Sequence, residues 1–316
     1  MTALNPYSSS VRVRLVLTKK VMRHSDINQS SLKSMTDRNI EDLTWCIQSP
    51  SLISASDDQV WPDDDWFKNW PVPTGDFSIQ HHKLGKRFES ILGYWVAAES
   101  SMELIAANLP VHDGNRTVGE FDLLVMNSGV LEHWEVAIKF YLGIDQTNKM
   151  THWYGPNPTD TLATKINRMR SHQLALSHHP AAVQLLAERE LKVARVRSFV
   201  KGRLFHPLEA FQQASFTIPP EVNPNHEKGW WLKLADFETE TSFEKSRFTI
   251  LGKENWMAPL TVKQSEHYSI EEMVVRLQAH SHQGTVHLAH FDADGRESSR
   301  GFVVNERWLK DCRHGP

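Results

Sequence analysis

Gly119-Glu-Phe-Asp-Leu-Leu-Val-Met-Asn-Ser-Gly-Val-Leu-Glu-His-Trp-Glu-Val-Ala-Ile-Lys139 is the stretch on which the fold turns, and it reads as a β-hairpin. Phe121, Leu123 and Val125 alternate with Glu120 and Asp122. Successive side chains of a strand point to opposite faces, so the two acids are expected to share a face. Asn127-Ser128-Gly129 supplies residues that tolerate the positive φ of a tight hairpin turn. The second strand then places Glu132, Trp134, Val136, Ile138 and Phe140 on one face and His133, Glu135, Ala137 and Lys139 on the other. Glu135 and Lys139 are therefore expected to be co-facial.

Carboxylates and a lysine carried on one pair of strands suit a hard divalent cation. Mg²⁺ takes one or two carboxylates and completes its shell with waters and substrate phosphate oxygens. Asp122 and Glu135 are the leading ligand candidates, with Glu120 beside them. Lys139 is the candidate to orient an attacking water and to stabilise charge on a phosphate, the metal lowering the pKa of that water. The competing account is the solvent-facing side of a half-buried hairpin.

The stretch resembles the second and third core strands of the PD-(D/E)XK, or restriction-endonuclease-like, superfamily, in which an aspartate precedes an acid-x-lysine strand. Gly119-Glu-Phe-Asp-Leu-Leu124 carries the first half of that pattern. A wider set of segments resembles the bacterial domain-of-unknown-function family 1853. These are Asn39-Ile-Glu-Asp-Leu-Thr-Trp-Cys-Ile-Gln-Ser-Pro50, Leu84-Gly-Lys-Arg-Phe-Glu89, Gly119-Glu-Phe-Asp122, His133-Trp-Glu-Val-Ala-Ile-Lys-Phe-Tyr-Leu142, Gly155-Pro-Asn157 and His172-Gln173. The likeness runs from about Asn39 to near Trp308.

The resemblance implies an α/β fold with a restriction-endonuclease-like mixed-sheet core flanked by helices. It implies a nuclease that cleaves DNA or RNA with Mg²⁺ or Mn²⁺ as cofactor, with Asp122, Glu135 and Lys139 catalytic. Glu89, on the helix before the first strand, matches the position that often completes the metal site. The alternative is a member without hydrolytic activity that binds nucleic acid or a protein through the same cleft. One departure separates the chain from the superfamily pattern: Ala137 stands two before the lysine and the glutamate two residues earlier. Two strand residues span about 7 Å, so Glu135 must reach along the sheet to meet a metal held by Asp122.

The 316 residues, 40% hydrophobic and 23% charged, can build a sizeable globular core. A net charge of −3 and a pI near 6.6 supply no global basic field, so nucleic acid must be met by a local patch. Cys46 and Cys312 are the only cysteines and form no C-x-x-C, which argues against a disulfide framework or a thiolate zinc site and for free thiols in the cytoplasm. No run of about eighteen apolar residues is present to span a bilayer. Val11-Arg-Val-Arg-Leu-Val-Leu17 lacks the features of a signal peptide, so no export is expected. Because the family likeness begins near Asn39, and Met22 and Met35 lie just upstream, residues 1–37 are expected to be a disordered tail or a mis-assigned start. Seventeen histidines include no H-E-x-x-H, and no phosphate-binding glycine motif or G-x-S-x-G occurs, so zinc-protease, nucleotide triphosphatase, Rossmann and serine-hydrolase readings lack support.

Asp37 can cap a first helix carrying Ile40, Leu43 and Ile47 and ending at Ser49-Pro50. In the acidic connector from Asp57 to Gly75, Trp61, Trp66 and Trp70 are expected to anchor the loop on the core rather than stack bases. Lys83 to Ser100 has a helical period with Glu89 at the border of its apolar stripe. Met102 to Leu109 supplies the first strand. Thr159 or Asp160 can cap a helix through Ser177, on which Lys165, Arg168 and His172 recur on one face with Gln173 beside them. These four are the candidate nucleic-acid contacts. With a strand at Leu191–Phe199 the core spans residues 38–206. Residues 207–316 form a C-terminal α+β extension, with Trp230-Trp231, a strand near Phe248, a capping box at Ser269-Ile-Glu-Glu272 and a hairpin turning at Asp294-Gly295. No internal repeat is visible.

Overall fold

In the computed structural model the described residues are 29–314 apart from 57, 59, 69, 70, 74–78, 80, 82, 244, 262–265, 281 and 283. The first part of the expected tail, and Trp70 of the connector, lie outside them. The helices are α1 (Gln29–Gln48), α2 (Asp64–Lys68), α3 (Leu84–Ala98), α4 (Leu162–Arg168), α5 (Pro180–Ala187), α6 (Leu208–Gln212), α7 (Leu234–Phe237), α8 (Ile270–Ala279) and α9 (Glu306–His314). The strands are β1 (Met102–Asp113), β2 (Arg116–Asn127), β3 (Val130–Gly143), β4 (Trp153–Tyr154), β5 (Arg195–Pro207), β6 (Glu227–Lys233), β7 (Arg247–Ile250), β8 (Thr285–Phe291) and β9 (Glu297–Val304). They form one nine-stranded mixed sheet in the order β1-β2-β3-β5-β6-β9-β8-β7, with β4 on the end of β3. The fold is mixed α/β.

The hairpin between β2 and β3 forms as its sequence demands. Its turn is Ser128-Gly129, with φ of 50° and 81°, while Asn127 stays in the strand opposite Val130. β3 then runs parallel to β5 from Glu132 opposite Arg195 to Leu142 opposite Phe205. A parallel central strand is covered on both faces. One face of β3, with Trp134, Val136, Ile138 and Phe140, packs in the main core with Phe88, Ile91 and Trp95 of α3. Its other face is covered too, by Leu162, Ile166 and Met169 of the α4 region against Ala137 and Tyr141. Glu135 and His133, expected on a polar side, are consequently 0% exposed. Gly202 on β5 takes φ of +137° beside Lys139, where a Cβ would sit 1.7 Å from the Lys139 carbonyl oxygen, so a side chain is excluded there.

Several boundaries differ from expectation. α1 begins at Gln29, ahead of Asp37. β1 extends through Asp113 because it pairs with β2 along its length. The expected helix from 159 to 177 is capped instead by Thr161, whose side chain accepts from the Thr164 amide, and it breaks after Arg168 into a π turn over Met169–Gln173. Pro180 opens an unforeseen helix, α5, and β5 starts only at Arg195. The residues after 207 extend the same sheet through the parallel pairing of β5 and β6, and Trp256, Phe302 and Trp308 join the core that holds Trp95 and Trp134. The Ser269–Glu272 capping box forms. Trp61 is buried, and Trp66 packs on Trp95, Trp134 and Phe199.

α3 is fixed to α1 by a buried bridge. Arg87 donates to Asp42 (2.7 Å) and to Asn39 (2.8 Å), and Asp42 is fully buried. The adjacent Lys86 bridges Glu89 of the same helix to Glu120 of β2.

Candidate functional site

β2 and β3 pair from Asn127–Val130 to Leu123–Trp134 and no further. Among the described residues, the flank of β3 facing β2 gains its next strand partner at Leu142 and Gly143, from β4. Asp122 and Glu135 are the first residues past the last pair, one on each side of the opening. The Asp122 carboxylate accepts from the Val136 amide at 3.0 Å, taking the place of a ladder carbonyl. Strand alternation slips here. Phe121 packs with Leu124 and Leu176, whereas Leu123 and Val125 pack in the core beneath α3, and Asn108 on β1 has φ of 53°. The expectation of one apolar face shared by Phe121, Leu123 and Val125 is corrected accordingly.

On the α3 side of the opening, Glu89, Glu120 and Asp122 each offer a carboxylate oxygen, all within 4.8 Å of one another. The Lys86 ammonium donates to Glu89 Oε2 (2.8 Å), to Glu120 Oε1 (3.0 Å) and to Asn108 Oδ1. Neither Lys86 nor Asn108 was a candidate from sequence. The one available signal was an asparagine inside an otherwise strand-forming run, where that residue is disfavoured.

On the opposite side, Glu135 is held from three directions. His133 Nε2 hydrogen-bonds its Oε1 (2.9 Å), Gln173 Nε2 donates to its Oε2 (2.6 Å), and its carboxyl interacts with that of Asp122. Gln173 Oε1 in turn accepts from Lys165 Nζ (2.9 Å). Burial pushes Asp122 and Glu135 each up to about 7, with their mutual repulsion adding to the Asp122 shift and the Lys165 charge opposing both. Two carboxyls in such contact titrate as a pair. Burial also lowers the Lys165 ammonium below its usual range and holds His133 down to about 4, so His133 is neutral.

The structure thus brings Asp122, Glu135, Gln173 and Lys165 into one connected chain and Glu89, Glu120 and Asp122 into one oxygen group, with Asp122 common to both. Glu135 is not in the three-acid group. Lys139 stands apart, its Nζ paired with Asp160 at 2.6 Å while the Tyr141 hydroxyl donates to the same carboxylate. Arg168 and His172 are exposed on the segment that carries Lys165. No second group of three potential metal ligands occurs among the described residues, so the histidines build no zinc site there.

An all-oxygen group from a helix and a strand fits a hard cation, because octahedral Mg²⁺ with ligands at about 2.1 Å spans roughly 4.2 Å between opposite oxygens. The fold and site together define a mixed α/β protein with an acid-lined opening in its sheet. The chain belongs to the family described as a domain of unknown function (DUF1853), whose family model matches residues 41–304. No curated protein and no solved structure matches it. No helix among the described residues is long and apolar enough to cross a membrane.

Proposed function

We propose that this protein is a metal-dependent phosphodiesterase of PD-(D/E)XK type, a nuclease that cleaves DNA or RNA with Mg²⁺ or Mn²⁺ held by Glu89, Glu120 and Asp122. The observation that carries this reading is Asp122, which belongs both to the three-oxygen group and to the chain through Glu135 and Gln173 to Lys165. The bound cation supplies Lewis acidity and a lowered water pKa. Glu135 fixes the Asp122 carboxylate and takes up a proton in exchange with it. Lys165, rather than Lys139, is the cation coupled to that pair, and it stabilises negative charge on the phosphate. Arg168 and His172, exposed beyond Lys165, contact the phosphate backbone and supply the local patch that a net charge of −3 requires. Cys46 and Cys312 are both free and buried, in keeping with a cytoplasmic setting.

A second reading, a catalytically silent platform that binds nucleic acid through the same opening, is favoured by the Lys139–Asp160 pair and by Ala137 at the usual acid position. Purified protein incubated with labelled single-stranded, duplex and branched DNA and RNA in Mg²⁺ or Mn²⁺ separates the two. Cleavage that disappears in Asp122→Ala and Lys165→Ala supports the nuclease. Binding without cleavage on every substrate supports the platform.

A further inference from the structure

Lys86 makes more contacts than an exposed helix lysine needs. Its side chain is 44% accessible, yet its ammonium meets oxygens from three separate elements, Glu89 on α3, Asn108 on β1 and Glu120 on β2. Two of those oxygens belong to residues of the three-acid group. A side chain with this much freedom settles there because three carboxylates converge, while Lys165, whose charge also reaches Asp122, is held at Gln173. Asn108 adds to the point. It holds a left-handed backbone conformation within a strand, φ of 53°, which suits asparagine better than most residues, and it turns a neutral carbonyl oxygen toward the same ammonium.

Carboxylate and amide oxygens are also the donors that Mg²⁺ and Mn²⁺ take from proteins. Resting on the metal-dependent reading above, we infer that Lys86 is a tethered counter-ion that occupies the cation position, that a divalent ion fills the site only by displacing it, and that Asn108 then serves as a fourth, neutral oxygen ligand. The displaced ammonium swings to solvent along the accessible side of α3. Lys86 therefore sets the divalent concentration at which the site fills. While the site is empty, it also keeps the acids from repelling one another.

The test measures Mn²⁺ binding by calorimetry and by electron paramagnetic resonance, with Mn²⁺-induced thermal stabilisation as a second readout. It compares the full chain with Lys86→Met, Lys86→Gln, Lys86→Arg and Asn108→Ala. Lys86→Met and Lys86→Gln are expected to bind Mn²⁺ at least about tenfold more tightly, because a positive charge within a few ångströms of the ion is gone. They should melt lower without metal and gain more from it. Lys86→Arg should stay near the parent affinity, and Asn108→Ala should bind more weakly. Lys86→Gln keeps a hydrogen-bonding group and so guards against a variant that merely fails to fold. Parent protein that binds Mn²⁺ while both neutral variants bind equally or less tightly overturns the counter-ion role and leaves the metal site standing. Absence of Mn²⁺ binding in every protein overturns the metal reading and this inference with it.

Discussion

The Asp122 carboxylate accepts a hydrogen bond from the Val136 amide at 3.0 Å, across the point where β2 and β3 part. A side chain has replaced a ladder carbonyl there, and it brings a charge into a site that Glu135 also lines.

That charge makes metal-free stability pH-dependent. Burial raises Asp122 and Glu135 to about 7 in the folded protein, above their unfolded values. The stability they contribute is therefore full below about pH 4 and is lost as pH climbs through 7. Asp122→Asn keeps an acceptor for Val136 and removes the charge. Its gain in unfolding free energy is expected to be about 2 kcal/mol larger at pH 8 than at pH 5. Urea denaturation in a chelator at the two pH values measures this, and an equal effect at both would contradict the buried-acid account.

Lys165 and Lys139 are expected to separate in single-turnover cleavage at saturating Mn²⁺. Lys165→Ala should slow cleavage by about 10²-fold or more, a loss typical of a group that acts at the reacting atoms. Lys139→Ala, whose partner Asp160 is partly exposed, should change the rate about tenfold or less and cost no more than about 1 kcal/mol of stability. Equal losses in the two variants would return Lys139 to the reaction.

Glu132 is a buried acid whose partners are two arginines and a tryptophan. Fully buried, it accepts from Arg197 Nε (2.9 Å), Arg195 Nη1 (2.8 Å) and Trp134 Nε1 (2.8 Å). Glu132→Ala leaves the buried Arg197 guanidinium without that carboxylate and is expected to lower stability by about 3–5 kcal/mol. Arg195→Ala, at the accessible end of the network, should cost less than about 1 kcal/mol. Thermal and urea unfolding of both variants checks the ranking.

Much of this architecture can be read from residue order because the hairpin is local. Ser128-Gly129 closes it, the alternation along β3 gives the face of Trp134, Val136, Ile138 and Phe140 that meets the core though not the burial of the other face, and Ser269–Glu272 caps its helix as written. The site was half legible. Asp122, Glu89 and Glu120 were visible as acids near one strand pair, and Lys165 and Gln173 as a polar cluster on one helix. Their relation was not, because it depends on where β2 and β3 stop pairing, on the slip in alternation at Asp122, and on the π turn that carries Gln173 to Glu135. Such features arise from contacts among segments far apart in sequence. Lys86 and Asn108 escaped notice for the same reason, each having an ordinary role until α3, β1 and β2 are brought together.

His287 on β8 offers the last prediction. It is buried, lies flat on Phe302 with ring centroids 4.3 Å apart, and meets the edge of Trp256, while neither ring nitrogen has a hydrogen-bond partner among the described residues. Burial, reinforced by the charges of Arg300 and Arg203, holds its pKa well below 6.5. A buried imidazole without partners costs stability at neutral pH. With a depressed folded value, the histidine's contribution is present above pH 6.5 and is lost as pH falls. His287→Leu, close in volume and free of polar atoms, is expected to raise stability by about 1 kcal/mol at pH 7, offset in part by the lost ring stacking. At pH 5 the gain should be larger than at pH 7, since the unfolded histidine takes up a proton more readily than the buried one. Urea denaturation at both pH values decides it: a variant weaker than the parent at pH 5 would mean that the imidazole is satisfied and that its burial stabilises the C-terminal half of the sheet.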